Sequence, residues 1–340
     1  MTKRARVKLP EKKENNYFVS DDKDIQFVPT GCTVLDCTLG GGYALGRMSN
    51  IIGDKSTAKT ALATEALTNF CLRYPDGVAA YRDAEAAFDV RYAEAMGVPI
   101  KDIDFGDTDL VTIEDFINEY TAFLNARIKD KKPSIYVLDS MDSLSDDAEM
   151  DRPIEKGSFG MAKAKLLSEF FRKNTRKIEK ANSLLLIVSQ VRENINAAAF
   201  GEKYRRAGGK ALDFYASQLL WLAHVGQLKR TIKKVERPYG VTIRAKCKKN
   251  KVGLPFRECD FDFIFGYGVE DLGASLDWLK DVHRVSELGI SDRELKEFKT
   301  ECESLPDDEY AKETKRVAKI VKKVWAEIET SFIPTRRKYS

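Results

Sequence analysis

The sequence predicts an α/β protein built on a mostly parallel central sheet that is covered by helices. Between about residues 47 and 265, short apolar runs rich in β-branched residues alternate with segments of helical periodicity, the pattern of strand–helix–strand units. The first four runs are almost continuously apolar, as expected for strands buried on both faces. From residue 271 onward the pattern is helical and charged.

The predicted strands follow one another along this central region. They are residues 48–53, 78–83, 134–140, 183–190, 218–225, 240–249 and 259–268. The last run, "CDFDFIFGYG", alternates apolar and polar residues and is predicted to close the sheet. Between the runs, "TALATEALTNFCLRY", "VTIEDFINEYTAFLNARI" and "KAKLLSEFFRKNTRKIEKAN" have helical spacing. We therefore divide the chain into an N-terminal segment (1–30), an α/β core (31–270) and a small helical C-terminal module (271–340).

Composition narrows the class of protein. The six cysteines form no C-x-x-C pair and the two histidines lie far apart, so neither a zinc site nor a disulfide framework is predicted. The net charge of +4 does not by itself indicate a polyanionic partner. No apolar run reaches the roughly 18 to 20 residues that span a bilayer, and the N-terminus lacks a secretory signal. We expect an intracellular, cytoplasmic protein without a membrane partner.

The stretch "GDKSTAKT", after the first strand, is close to the phosphate-binding template G-x-x-x-x-G-K-[ST]. It consists of Gly53, Asp54, Lys55, Ser56, Thr57, Ala58, Lys59 and Thr60. Backbone N–H groups and a helix N-terminus would bind phosphates there, with Lys59 on the terminal phosphates and Thr60 on Mg²⁺. Ala58 replaces the second glycine and costs on the order of 1 kcal/mol if a positive φ is required. An ordinary strand-to-helix turn is the alternative.

Two carboxylates follow other strands. Asp139 ends "SIYVLD", as in a Walker B segment whose carboxylate holds hydrated Mg²⁺. Glu85 lies just past the strand at 78–83, where it could orient or deprotonate a water that attacks the γ-phosphate of ATP. An acid-rich helix N-terminus explains Glu85 equally well.

In segment order, residues 25–280 resemble the RecA family of DNA recombinases. "PTGCTVLDCTLGGGYALGR", "DAEAAFD", "LLLIVSQVRENI", "AGGKALDFYAS" and "KKNKVGLPF" are similar to the family's motifs. "FYAS" is the most specific of them, because no general rule of nucleotide binding explains it. The resemblance implies a RecA-type P-loop ATPase core that uses ATP and Mg²⁺.

The resemblance also implies roles for single residues. Glu85 would be the catalytic carboxylate, Asp89 and Tyr92 would hold the adenine, and Gln190 would sense the γ-phosphate. Lys249 and Lys251 would reach the ATP of a neighbouring subunit, which links hydrolysis to assembly of a helical filament. The N-terminal segment would pack on the adjacent subunit.

A DNA surface is indicated by one helix and two loops. Lys165, Arg172 and Arg176 fall on the side of a predicted helix opposite Leu166, Leu167, Phe170, Phe171 and Ile178. A solvated face is the alternative, but loops at 151–161 and 192–209 match the family's DNA loops. The second contains Arg192, Ile195, Phe200, Lys203, Arg205, Arg206, Gly208 and Gly209. Its cations suit phosphates and its apolar residues suit stacking on or wedging between bases, Ile195 above all.

Some residues depart from the family. Besides Ala58, Asp213 stands where a basic residue is common, the second DNA loop is about one residue longer, and the C-terminal residues are basic instead of acidic. We interpret the chain as a divergent member of bacterial or viral origin, in the latter case located in the host cytoplasm.

The expected function is ATP-dependent strand exchange on single-stranded DNA and homologous duplex, with single-strand-binding or mediator proteins as further partners. A recombination mediator or paralogue, a structural DNA-coating protein with an impaired ATP site, and a hexameric helicase core are the alternatives.

Overall fold

The computed structural model describes residues 25–150, 160–193, 204–205, 209–336 and 338. The strands are β1 (Phe27–Val28), β2 (Tyr43–Ala44), β3 (Met48–Gly53), β4 (Val78–Asp83), β5 (Ile103–Asp104), β6 (Ser134–Asp139), β7 (Ser183–Gln190), β8 (Arg192–Glu193), β9 (Tyr204–Arg205), β10 (Gln218–Ile232), β11 (Val235–Asn250), β12 (Glu258–Ile264) and β13 (Gly268–Val269).

The helices are α1 (Thr33–Leu39), α2 (Lys59–Arg73), α3 (Val90–Ala95), α4 (Ile113–Asp130), α5 (Asp147–Met150), α6 (Gly160–Lys180), α7 (Gly209–Tyr215), α8 (Asp271–Asp281), α9 (Leu295–Glu303) and α10 (Asp307–Ser331). Most helices up to α7 lie between strands, whereas α8 to α10 follow the last strand. Within the described ranges, no helix is long and apolar enough to cross a membrane.

The described residues form a nine-stranded sheet in the order β13-β12-β11-β10-β3-β7-β6-β4-β5. From β10 to β5 every neighbouring pair is parallel, whereas β11, β12 and β13 are added antiparallel. The predicted fold class, a mostly parallel α/β sheet, is confirmed. The first four predicted strands correspond to β3, β4, β6 and β7.

Successive residues of the buried strands enter two different apolar clusters, because side chains alternate across a sheet. Ile51 packs in the cluster that contains the apolar residues of α2, whereas Ile52 packs with those of α4 and α6. The sheet is thus covered on both faces, which explains why these strands are apolar throughout.

The C-terminal region is helical, as expected, and packs directly on the core. Val317, Val321 and Val324 of α10 are fully buried in the same cluster as Leu35 of α1. The Asp271 carboxylate at the start of α8 accepts hydrogen bonds from the Thr33 backbone N–H (2.5 Å) and hydroxyl (2.9 Å).

The last predicted strands have different bounds in the structure. β10 continues past residue 225 and β11 begins before residue 240, so that the two strands form an exposed hairpin. The solvated part of these strands lacks the alternation of apolar and polar residues from which strands are predicted. Lys233 and Lys234 both have positive φ (50° and 68°) at the two-residue turn of the hairpin, where glycine or asparagine would have signalled the turn. The run at 259–268 is interrupted: β12 ends at Ile264 and β13 begins at Gly268.

Candidate functional site

A cavity of about 440 Å³ opens where β3, β4, β6 and β7 end, which we call the carboxyl edge of the sheet. Ligands of open α/β sheets bind at this edge. Residues predicted for the nucleotide site that line the cavity are Lys55, Ser56, Thr57, Ala58, Lys59, Thr60, Glu85, Asp89, Tyr92, Asp139 and Gln190. The structure therefore brings together residues that are up to 135 positions apart (190 − 55).

The loop from Gly53 to Thr60 joins the end of β3 to the start of α2. A Cβ atom on Gly53 would lie 2.4 Å from the Thr57 hydroxyl oxygen, so a side chain cannot be accommodated without a shift. The Asp54 carbonyl accepts hydrogen bonds from the Thr57 hydroxyl (2.8 Å) and from the Lys59 amine (2.7 Å). These contacts close the loop on itself and hold Lys59 at the cavity.

Ala58 has a left-handed backbone conformation, with φ 58° and ψ 25°. This is the positive φ at which the alanine was expected to be strained. For a residue with a Cβ atom this conformation costs roughly 1 kcal/mol. The Ala58 carbonyl nevertheless accepts the first helical hydrogen bond, from the Leu62 N–H at 2.9 Å, and its side chain packs against the adjoining apolar cluster. The substitution therefore strains the loop without disrupting it.

Asp139 is the most buried carboxylate of the site, at 4% exposure. Its Oδ2 atom accepts hydrogen bonds from the Thr60 hydroxyl (2.6 Å) and the Tyr81 hydroxyl (3.0 Å). Burial raises the pKa of Asp139, although both hydrogen bonds act in the opposite direction. Burial also lowers the pKa of the Lys59 amine, against the pull of Asp139 and Glu85. A cation in the cavity would stabilise the charged form of Asp139.

Glu85 lies beside Asp139 on an exposed segment after β4. Its Oε1 atom accepts a hydrogen bond of 2.6 Å from the Ser140 hydroxyl. This contact fixes a carboxylate at the mouth of the cavity while leaving it exposed to water, a suitable arrangement for a general base. Sequence reasoning missed Ser140, because a serine after a strand carries no distinctive signal.

Gln190 ends β7 and lines the cavity; in the sheet, one strand, β6, lies between β7 and β4, the strand that precedes Glu85. The Gln190 backbone N–H donates a hydrogen bond of 2.8 Å to Asp142 Oδ2. Asp142 was also missed, although it follows Asp139 by three positions in "DSMDS". The end of β7 is thereby tied to the segment that follows β6.

Part of the cavity lining is apolar. Phe88, Met96 and Phe263 line the cavity together with the predicted Asp89 and Tyr92. Asp89 caps α3 by accepting the Tyr92 N–H (3.1 Å), and the Tyr92 hydroxyl accepts the Gly266 N–H (2.8 Å). The three apolar residues were missed because their patterns indicate only burial.

The donor set fits a hard cation. The Thr60 hydroxyl and the Asp139 carboxylate supply oxygen ligands, which Mg²⁺ prefers. Within the described part of the chain, no group of three or more His, Cys, Asp or Glu residues could hold a metal alone. Such an ion would be held jointly by these side chains, by waters and by substrate phosphates, as is usual for Mg²⁺.

Lys249 and Lys251 do not line this cavity. They lie where β11 ends and β10 begins. Asn250 pairs with Gln218, and Gln218 pairs with Ser49 at the start of β3, so we call this end of the sheet the amino edge. With the usual rise per residue of a β-strand, Ser49 and Gly53 are about 13 Å apart. The two lysines therefore flank the opposite end of the sheet from the phosphate loop.

Both amines bind the last turn of α7. Lys249 donates to the carbonyls of Asp213 (2.5 Å) and Phe214 (2.7 Å), and Lys251 donates to the carbonyl of Phe214 at 3.4 Å. Burial and the charge of Lys251 lower the pKa of Lys249 to about 8. Phe214 itself is 69% exposed.

The predicted DNA residues are only partly described. Lys165, Arg172 and Arg176 are exposed on α6, while Leu167, Phe170, Phe171 and Ile178 on its other face are buried and Leu166 is partly buried. Arg192 and Arg205 pair directly in the β8–β9 ladder, and Gly209 begins α7. Ile195, Phe200, Lys203, Arg206 and Gly208 lie outside the described residues, as does most of the first loop.

Comparison with known proteins agrees with this geometry. Residues 16–270 match the family described as the RecA N-terminal domain. The chain is similar to the protein RecA of Gloeobacter violaceus, with 34% identity over 267 residues, 78% of this chain and 68% of the relative. The protein RecA of Nautilia profundicola is 34% identical over 261 residues, 76% of this chain and 71% of the relative.

Proposed function

Because this chain belongs to the RecA family of DNA recombinases, we propose that it is an ATP-dependent strand-exchange protein. It would form filaments on single-stranded DNA, pair that strand with homologous duplex, and hydrolyse ATP when DNA is bound. The observation that carries this proposal is the convergence of Lys59, Thr60, Glu85, Asp139 and Gln190 on one cavity. Each has the chemistry that phosphoryl transfer to water requires.

Within the cavity, the roles follow from charge and position. Lys59 and the N-terminus of α2 bind the terminal phosphates of ATP. Thr60 and Asp139 would hold Mg²⁺, which neutralises phosphate charge when bound. Glu85, kept in place by Ser140, orients a water and accepts its proton. Gln190 lies within the same cavity and is positioned to respond to the γ-phosphate, since its backbone is held by Asp142.

The position of Lys249 and Lys251 supports action on a neighbouring subunit. From the amino edge they are too distant to stabilise charge in the cavity of their own chain. A head-to-tail arrangement brings the amino edge of one copy to the carboxyl edge of the next, and repetition of such a contact generates a helical filament. The N-terminal segment (1–30) would contribute to the same contact, and residues 31–270 and 271–340 would serve as core and C-terminal module.

DNA would bind along α6 and the two loops. The exposed cations of α6 stand opposite a buried apolar face, so the helix is anchored while Lys165 and Arg172 remain accessible to phosphates. The β8–β9 ladder brings Arg192 and Arg205 together at the base of the second loop. This grouping supports a strand-binding surface that begins directly after Gln190, next to the ATP cavity.

ATP hydrolysis with and without single-stranded DNA tests the proposal. We expect the DNA to accelerate turnover by the wild-type chain, and we expect Lys59→Ala to abolish both basal and stimulated turnover. Hydrolysis that is indifferent to DNA would favour a mediator. DNA binding without any hydrolysis would favour a structural coating protein.

A further inference from the structure

A buried tyrosine contacts the carboxylate that would hold the metal ion. Tyr81, in β4, is 1% exposed, and its hydroxyl donates a hydrogen bond of 3.0 Å to Asp139 Oδ2. The same oxygen accepts the Thr60 hydroxyl at 2.6 Å. Hydrogen bonds therefore link Tyr81, Asp139 and Thr60, because one carboxylate oxygen accepts from both hydroxyl groups.

The ring of Tyr81 is fixed by its neighbours. It packs 4.7 Å from the ring of Phe88 and 5.9 Å from that of Phe105, measured between centroids. β4 and β6 pair in parallel, with Tyr81 opposite Val137 and Asp83 opposite Asp139. The hydroxyl is thus held at the level of Asp139 by both the strand register and the aromatic cluster.

The hydroxyl is costly to bury unless it is hydrogen-bonded. A buried polar group without a partner destabilises the folded protein, and a phenylalanine would fill the same space without that cost. A carboxylate oxygen is a better acceptor than a neutral oxygen; of its two donors here, Thr60 makes the shorter bond (2.6 Å) and Tyr81 the longer one (3.0 Å). The main contribution of the Tyr81 hydroxyl is therefore to orient the Asp139 carboxylate.

That orientation matters for a cation because a carboxylate has about four acceptor positions. Both donors bind Oδ2, and no described residue donates to Oδ1. The arrangement fixes the rotation of the carboxylate and leaves Oδ1 without a donor among the described residues. Partners that orient metal-binding groups in this way typically change metal affinity by 10- to 100-fold when they are removed.

We propose that Tyr81 is a positioning residue for the magnesium site: its hydroxyl orients Asp139, and through Asp139 the Thr60 hydroxyl, toward the ion. The inference rests on the proposed function, because it requires a nucleotide with its cation in the cavity. Tyr81 contacts neither the nucleotide nor the ion.

The test is nucleotide binding by the Tyr81→Phe variant of the full chain, measured with a fluorescent, non-hydrolysable ATP analogue. The Mg²⁺ concentration for half-maximal binding should rise about tenfold, while the affinity in EDTA should stay within about twofold of wild type. An equal loss of nucleotide affinity with and without Mg²⁺ would show that Tyr81 only shapes the cavity. An unchanged Mg²⁺ dependence would show that the hydroxyl does not affect the magnesium site. Either result overturns the proposal.

Two comparisons separate this role from general packing. Tyr43→Phe removes a hydroxyl that is equally buried and has no hydrogen-bond partner among the described residues, so its Mg²⁺ dependence should match wild type. In an Asp139→Asn background, Tyr81→Phe should cause no further tenfold change, because its effect passes through the carboxylate. If Tyr81→Phe still causes a tenfold change in the Asp139→Asn background, the proposal is contradicted. Absence of any nucleotide binding by wild type, even in EDTA, would instead refute the proposed function.

Discussion

The predicted site residues at the two edges of the central sheet have very different surroundings. At the carboxyl edge, Lys59, Thr60, Glu85 and Asp139 surround a common cavity. Each is held by a hydrogen bond within the chain: Thr60 donates to Asp139, Ser140 donates to Glu85, and Lys59 donates to the Asp54 carbonyl. At the amino edge, the amines of Lys249 and Lys251 donate to carbonyls of α7, and Lys251 also lies over the Phe214 ring. The first group surrounds a cavity of its own chain, whereas the two lysines do not line that cavity.

Under the proposed function, this difference separates nucleotide binding from turnover. The cavity of one chain would bind nucleotide without a neighbour, whereas the lysines at the opposite edge would act only on the cavity of a docked second copy. Charge stabilisation of the transition state would then depend on assembly. Nucleotide affinity and turnover should accordingly respond to different substitutions.

The largest effect is expected from Glu85→Gln at the carboxyl edge. The amide keeps the shape of the side chain but cannot accept a proton, so DNA-stimulated turnover should fall by about 10³-fold. ATP affinity should be almost unchanged, because Glu85 does not bind the phosphates. Parallel measurements of nucleotide binding and of phosphate release check this. A parallel loss of affinity would show that Glu85 supports the cavity itself.

A smaller effect, specific to the amino edge, is expected from pH. The pKa of Lys249 is lowered to about 8, so its charged form is lost as pH rises through that value. DNA-stimulated kcat/KM for ATP should therefore decline above about pH 8, by up to tenfold per unit of pH. Lys249→Arg stays charged and should move the decline to higher pH. An identical decline in both proteins would place the titrating group elsewhere.

The smallest effect is expected from a backbone substitution. Ala58→Gly removes the penalty of φ 58° and should raise the free energy of unfolding by roughly 0.5 to 1 kcal/mol. Ala216→Gly, at the amino edge, should lower it, because Ala216 is buried and lies outside the left-handed region. Urea titrations of both variants measure the changes. A loss of stability in Ala58→Gly would show that the carboxyl edge is not strained.

The carboxyl edge could be predicted largely from sequence, for a physical reason. Buried parallel strands are recognisable by their apolar runs, and their carboxyl ends must lie together, so Asp139 and Glu85 could be grouped with the loop at Lys59. Gln190 was added through resemblance to the family. Tyr81, Ser140 and Phe263 could not be predicted, because a tyrosine, a serine or a phenylalanine near a strand has many ordinary explanations.

The amino edge was harder to predict. Lys249 and Lys251 were singled out only through resemblance to a family, and their distance from the cavity depends on the register of β10 with β3 and β11. Register between distant strands leaves no mark in a single sequence. The exposed hairpin of β10 and β11 was underestimated for a related reason, since its strands lack a buried face.

The central claim, that a complete site forms only between two copies, can be tested by mixing two inactive variants. Glu85→Gln lacks the catalytic carboxylate but retains the amino-edge lysines, whereas Lys249→Ala/Lys251→Ala retains the carboxylate. In an equimolar random filament, about one junction in four joins an intact cavity to intact lysines. DNA-stimulated ATP hydrolysis should recover to about one quarter of wild type. A mixture as inactive as its components would contradict the claim.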